Sequence, residues 1–399
     1  MALRVPLARR AAGLAANVSA AEGHESIPFD SGHAFPGILP DLSEHAARAF
    51  AAHREEMLQY APRRGLAAMR EWIREQQALD GVTVSMQELI VVNGAKHGIE
   101  LVCRLLLDEG DTVAVTAPTY FTALPILRSF GADFLEIGQD DEGILVDALA
   151  EGIEWLRRQG RPVPKFVYDI PDFHNPTGRT TSRRRREALL ELCSRHCMFV
   201  VEDSPYRRLR YEGHPVPSLK SLDPSGLVIQ VGTISKILAP GMRIGWLACA
   251  EDLVARLTQL KADGGSSPLS QRLILEYLTP ERLAAHTALA CETYRRHRDC
   301  MLDALAREMP EVQCTRPQGG YYVWLTLPGD ASGDELARRA QSMGVSVYPG
   351  SVFYAGGRTG FPGNASVEPN HVRLTYSHAL PKDIDEGVRR LASAWGSMR

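Results

Sequence analysis

"LIVVNGAKHGIELVCRLLLDEG", residues 89–110, joins two apolar patterns of different period through a glycine turn. Leu89–Val92 is a short β-rich run. Gly94-Ala95-Lys96 then opens a segment in which Ile99, Val102, Cys103 and Leu106 recur at helical spacing, with Gly110 as its stop. Upstream, "AMREWIREQQALDG" (68–81) reads as a helix ending at Gly81. Downstream, further β-rich runs alternate with helical patterns: Thr112–Val115, Phe134–Ile137, Phe166–Tyr168, Phe199–Val201, Leu227–Val231 and Trp246–Ala250. The alternation predicts an α/β fold, a mostly parallel sheet of seven strands with helices on both faces.

The pattern changes near residue 265. "DGGSSPLSQ" (263–271) is a glycine- and serine-rich break, followed by one long helical stretch through Met301–Met309 and the strand-like "GGYYVWLTL" (319–327). "VYPGSVFYAGGRTGFPGNASVEPN" (347–370) reads as a long loop and "HVRLTYS" (371–377) as a final strand. These breaks predict an N-terminal arm with part of a small α+β domain at 1–49, a large domain at 50–275, and the rest of the small domain at 276–399.

Composition narrows the classes. The 399 residues are 44% hydrophobic and 23% charged, as in ordinary globular proteins, and a formal net charge of −3 gives no reason to expect nucleic acid as a partner. Seven cysteines, an odd number scattered without a disulfide framework, favour a reducing compartment, read here as the cytoplasm. No apolar run approaches the roughly 18 residues of a membrane span. The start "MALRVPLARRAAGLAANVSA" carries Arg4, Arg9 and Arg10 with no acid before Glu22, a composition shared with targeting peptides; it is read as an amphipathic arm packing on the protein.

Open α/β sheets bind ligands at the carboxyl ends of their strands, which directs attention to the polar residues after each run. Gly94, Ala95 and Lys96 open a helix, where free N–H groups suit an anion such as phosphate; the same Asn-Gly also serves simple turns. Tyr120, in "VTAPTYF", is either a face for a flat ring or a core tyrosine. Asn175, in "IPDFHNPTG", precedes a Pro-Thr-Gly turn, and its amide also suits a ligand oxygen. Glu202, Asp203 and Tyr206 end an apolar strand, where a carboxylate needs a partner or closes a helix N-terminus. Thr233, Ser235, Lys236 and Arg243 follow "LVIQVG".

Together these types suit pyridoxal phosphate. A lysine amine holds the aldehyde as a Schiff base, and an aspartate keeps the pyridine nitrogen protonated so that the ring accepts electrons. Hydroxyls, helix N–H groups and an arginine neutralise the phosphate.

The chain resembles the fold-type-I pyridoxal-phosphate aminotransferases of class I/II, particularly the 2-aminoadipate and kynurenine branch. "YAPRRGLAAMREWI", "NGAKHGIELV", "PTYFTA", "HNPTG", "EDSPYRRL", "GTISKILAPGMRIGW", "PQGGYYVWL", "VYPGSVF" and "VRLTYS" carry the resemblance, in family order, from about residue 27 to the end. It implies that Lys236 forms the Schiff base and moves the substrate's α-proton, that Asp203 pairs with the pyridine nitrogen, that Tyr120 stacks on the ring, and that Asn175 and Tyr206 bond its phenolic oxygen. It further implies a phosphate site at Gly94, Ala95, Lys96, Thr233, Ser235 and Arg243, completed by Tyr60 from the neighbouring subunit of a homodimer. Arg373 then forks onto the substrate α-carboxylate, with the backbone near Gly32 helping. The implied activity moves an amino group from an L-amino acid to a 2-oxo acid. The same cofactor residues also serve elimination, decarboxylation, cyclisation or carbon–carbon bond formation, which is the alternative.

Several positions depart from the family pattern. Lys96 either adds charge at the phosphate or turns to solvent. His174 either titrates near the substrate or sits on the rim. Arg63 and Arg64 replace the usual turn after Tyr60, and the loop at 354–370 is a place for specificity to diverge. In "TSRRRREALLELCSRHC" (181–197) the four arginines are read as a solvated helix face. Cys193, His196 and Cys197 lack a second ligand pair, so no metal is expected. A transcription regulator with this fold would need an N-terminal DNA-binding domain, for which the stretch before the matched region is too short.

Overall fold

The computed structural model describes residues 26–399. The N-terminal arm expected over the first 25 residues lies outside the described residues. Seven strands form the main sheet: β1 Leu89–Val92, β2 Thr112–Thr116, β3 Asp133–Ile137, β4 Phe166–Asp169, β5 Phe199–Asp203, β6 Val228–Thr233 and β7 Gly245–Ala248. They lie in the order β1-β7-β6-β5-β4-β2-β3. β7 runs antiparallel to both neighbours, and the other pairings are parallel. Nearly every residue in these strands is buried, which explains why they read as continuous apolar runs rather than alternating ones.

All seven expected runs are strands, with shifted ends. β6 continues beyond Val231 to Thr233 because Thr233 pairs with Gly245 of β7. β7 stops at Ala248 because Ala250 already caps the helix Glu251–Leu260.

A second, antiparallel sheet is built from β8 Gln313–Cys314, β9 Tyr322–Thr326, β10 Tyr348–Pro349 and β11 His371–Thr375, in the order β8-β9-β11-β10. Ile27–Pro28 pairs with Val345–Ser346, so the first described residues join the C-terminal part of the chain. The helical stretch expected to run unbroken after the glycine break is two helices, Pro268–Tyr277 and Pro280–Glu308. Thr279 caps the second, and Pro280, which lacks an N–H, fits its first turn and could not continue the preceding helix.

The stretch read as a long loop contains β10 and a 3-10 turn at Gly350–Phe353. Beyond it, the Glu136 carboxylate accepts the N–H groups of Ala355 and Gly357 at 2.6 and 2.7 Å, and Asp133 accepts that of Arg358 at 2.8 Å. A Cβ on Gly357 would stand 2.2 Å from the Phe134 carbonyl oxygen, so only glycine permits this approach. The segment therefore covers β3, an edge strand of the sheet.

The arginine run also differs from its expected solvated face. Arg183 and Arg184 are exposed, but Arg186 is fully buried. Its guanidinium pairs with Asp172 at 2.8 Å and donates to the carbonyls of Pro171, Thr181 and Pro217. A buried charge needs this many partners, and here they tie both ends of the loop that carries Asn175.

Candidate active site

β5 ends in two adjacent carboxylates, and neighbouring residues of a strand point to opposite faces. Glu202 accepts the N–H groups of Leu219 and Lys220 at 2.9 and 3.0 Å and the Gln230 amide at 3.0 Å. It closes the start of the short helix Leu219–Leu222, so the helix-terminus reading applies to Glu202 and not to Asp203. Asp203 accepts the Tyr168 hydroxyl on Oδ2 at 2.7 Å, while its Oδ1 is buried with no partner. Burial pushes its pKa up to about 6, against the Tyr168 bond and the Lys236 charge, which favour the ionised form.

Lys236 leaves the end of β6. Its Nζ donates to the Gly32 carbonyl at 2.7 Å, and the Tyr321 hydroxyl donates to its backbone carbonyl at 2.7 Å. Burial, followed by the nearby charges of Arg373 and Lys96, brings the amine down to about 8; Asp203 acts in the other direction. A buried carboxylate with an open oxygen and a lysine of lowered basicity thus act on one another across one site.

The anion end is built from turns. Gly94 has φ of 82° and opens the helix Ala95–Leu106. Arg243, itself left-handed at φ 53°, donates to the Asn93 carbonyl at 3.1 Å. A Cβ on Gly94 would lie 2.7 Å from the Arg243 guanidinium, so this residue must be glycine for the arginine to reach the helix terminus. Thr233 Oγ1 donates to the Ile244 carbonyl at 2.8 Å and lies 2.9 Å from Ser235 Oγ. Lys96 stands on the first helical turn with its chain reaching solvent, and partial desolvation, followed by the Arg243 charge, lowers its basicity.

Opposite stands Arg373 on β11, 2% exposed. It donates to Asn175 Oδ1 at 3.1 Å and to the Asp30 carbonyl at 2.6 Å, and its Nε has no partner. Tyr322, Tyr348, Phe353 and Phe121 surround its guanidinium carbon at 4.5, 4.9, 5.2 and 5.8 Å from their ring centres. Because Arg373 takes the Oδ1 end of Asn175, the Nδ2 end is the one left to donate. Tyr206 is buried with its hydroxyl 2.9 Å from that of Tyr322, and half-buried Tyr120 has Tyr322, Asp203 and Arg373 as its charged or titratable neighbours.

The structure thus brings together Lys236, Asp203, Tyr206, Tyr120, Asn175, Arg373 and Gly32, with the turns of Gly94 and Arg243 beside them. It does not bring in Tyr60, which is 86% exposed within its own chain. His174 is neither on the rim nor titrating: it is 3% exposed, its Nδ1 lies 3.2 Å from Thr177 Oγ1, and burial lowers its basicity to about 3. Arg63 is exposed, and the Arg64 carbonyl accepts the Val91 N–H at 3.0 Å. Among the described residues no cluster of three or more metal-binding side chains occurs, and no helix is long and apolar enough to cross a membrane.

Sequence reading missed Tyr168, Tyr321, Tyr322, Phe121, Tyr348 and Phe353. Tyr168 carried a usable sign, since a tyrosine inside a buried parallel strand must find a partner for its hydroxyl.

The open oxygen of Asp203, the Lys236 amine and the anion cradle fit pyridoxal 5′-phosphate, and on this architecture they define a fold-type-I pyridoxal-phosphate enzyme. Residues 26–391 match the model of the family described as aminotransferase class I and II, and the chain belongs to that family. It is 37% identical to aromatic-amino-acid aminotransferase 1 of Thermococcus litoralis over 88% of this chain and 81% of the relative. Among solved structures it is similar to the kynurenine aminotransferase of Pyrococcus horikoshii, with a TM-score of 0.87 and 33% identity over 94% of this chain and 91% of that one. It is also similar to the alpha-aminoadipate aminotransferase of Thermus thermophilus, solved with a phosphopyridoxyl-leucine, with a TM-score of 0.85 and 34% identity over 94% and 93%. The protein is a pyridoxal-phosphate-dependent aminotransferase.

Proposed function

We propose that the enzyme takes its amino group from an L-amino acid with an aromatic or long apolar side chain and passes it to a 2-oxo acid. The observation that carries this reading is the collar of four aromatic rings around Arg373. Lys96 and Arg243 stand at the phosphate turn, so Arg373 is the cation inside this collar, and the rings offer a substrate side chain an apolar surface. The relatives named for aromatic amino acids and kynurenine support the same class.

When bound, pyridoxal phosphate supplies an aldehyde that condenses with amines and a protonated ring that takes up an electron pair from the substrate's α-carbon. The chain supplies the rest. Lys236 would hold the aldehyde through its amine, and the same amine, when free, would move a proton at the substrate's α-carbon. Asp203 Oδ1 holds the ring-nitrogen proton, Tyr120 covers the ring, and Asn175 Nδ2 and Tyr206 donate to the phenolic oxygen. Gly94, Ala95, Lys96, Thr233, Ser235 and Arg243 hold the phosphate. Arg373 and the Gly32 backbone orient the α-carboxylate, which fixes which bond to the α-carbon is broken.

Tyr60 serves the phosphate of a second subunit, so that the working unit is a homodimer with shared sites. Phe50, Leu58 and Tyr60, exposed along one segment, support that reading. Residues 50–275 act as the large domain, and 276–399 form the small one together with the part of 1–49 that follows the N-terminal arm. Seven free cysteines support a cytoplasmic location.

The test is a half-reaction: holoenzyme is mixed with phenylalanine, tyrosine or 2-aminoadipate in turn, without acceptor, while the cofactor spectrum and released 2-oxo acid are followed. Aromatic donors should convert the cofactor at least about 10-fold faster than the diacid. Faster conversion by the diacid would refute the donor class.

A further inference from the structure

Tyr322 touches three parts of the site at once. Its hydroxyl lies 2.9 Å from that of Tyr206, and its ring centre lies 4.5 Å from the Arg373 guanidinium carbon. A Cβ added at Gly32, whose carbonyl takes the Lys236 amine, would stand 2.6 Å from the same hydroxyl. The residue is 3% exposed, so its hydroxyl needs this partner in Tyr206.

Either hydroxyl of the pair can donate when they are considered alone. The cofactor's phenolic oxygen, when ionised, only accepts, so Tyr206 gives its single proton to that oxygen. The 2.9 Å contact then persists only with Tyr322 as donor to Tyr206. A phenol that accepts a hydrogen bond donates its own proton more strongly, because bonds in a chain polarise one another.

We propose that Tyr322 is a positioning residue: it donates to Tyr206, strengthens the Tyr206 bond to the cofactor's phenolic oxygen, and so links the carboxylate-binding arm at Arg373 to the cofactor. This rests on the reading of Tyr206 given above. The groups facing Lys236 are Arg373, Lys96, Asp203, Arg243, His33 and the Tyr321 ring, and those facing Tyr206 are Tyr322, Tyr120 and Tyr321. Y322F removes none of the charged ones.

The experiment titrates the visible absorbance of wild-type, Y322F, Y206F and Y206F/Y322F holoenzymes, reading the acidity of the nitrogen that joins Lys236 to the cofactor. A donor to the phenolic oxygen draws electron density away and lowers that pKa, so losing it raises the pKa. Y206F should raise it, Y322F should raise it by a smaller amount, roughly 0.5 unit, and the double variant should match Y206F. An unchanged Y322F beside a raised Y206F overturns the proposal and leaves the Tyr206 reading intact. A full Y322F shift on top of Y206F also overturns it, because Tyr322 would then act directly. An unchanged Y206F removes the Tyr206 reading and the proposal with it. Y322L, which also removes the ring over Arg373, should raise KM for the amino acid where Y322F does not. Equal rises in both would assign the hydroxyl to Arg373 and contradict the proposal.

Discussion

The hydroxyl of Tyr168 on β4 donates to Asp203 Oδ2 on β5 at 2.7 Å, which leaves Oδ1 as the open, buried oxygen. This bond orients the carboxylate and favours the ionised form that burial opposes. Hydrogen bonds to charged groups contribute about 1.5–3 kcal/mol, so Y168F should raise the cofactor Kd by roughly 10-fold or more. Equilibrium dialysis of apoenzyme against pyridoxal phosphate measures it. An unchanged Kd would remove Tyr168 from this role.

Glu202 and Asp203 divide stability and function between two faces of one strand. E202A leaves three buried donors without an acceptor and should cost about 2–4 kcal/mol of stability. D203N should keep most of the stability and lose cofactor affinity. Denaturant midpoints and cofactor Kd for both variants form the comparison, and a reversed pattern would exchange the two roles.

An amine attacks an aldehyde only when it has lost its proton. With Lys236 brought down to about 8, the amine is neutral above that pH and protonated below it. The rate of cofactor uptake by apoenzyme should therefore rise with pH, by about tenfold per unit below the inflection, and level off above pH 8. Arg373 is one cause of the lowering, so R373M should move the inflection to higher pH. Stopped-flow reconstitution across pH reads both shifts.

Arg373 offers a planar fork that lysine lacks. R373K should lower kcat/KM for amino acids by about 100-fold, equivalent to about 3 kcal/mol. Primary amines without a carboxylate should lose far less. Steady-state kinetics with a matched pair, phenylalanine and phenethylamine, separates carboxylate binding from general damage.

The large sheet was legible because its strands are buried on both faces and separated by glycine turns, so each appears as a short apolar run. The cofactor residues were legible because they stand close to the ends of those runs, as Asp203 and Lys236 do after theirs and Arg243 does before the last. What escaped depends on contacts remote in sequence. Tyr168 meets Asp203 across 35 positions, Arg186 meets Asp172 through a loop, and Glu136 holds residues more than two hundred positions away. Local spacing carries no record of such pairings, and so the covering of β3 by residues 355–365 read as a free loop. His174 misled for the same reason, since its burial comes from the fold around it and not from its neighbours in the chain.

The central claim is that Lys236 bonds the cofactor. Borohydride reduction of the holoenzyme followed by peptide mass spectrometry locates the attachment directly. The phosphopyridoxyl group is expected on the peptide containing Lys236, and K236A should carry none. Attachment at Lys96 or any other lysine, or stable labelling of K236A, would contradict the account.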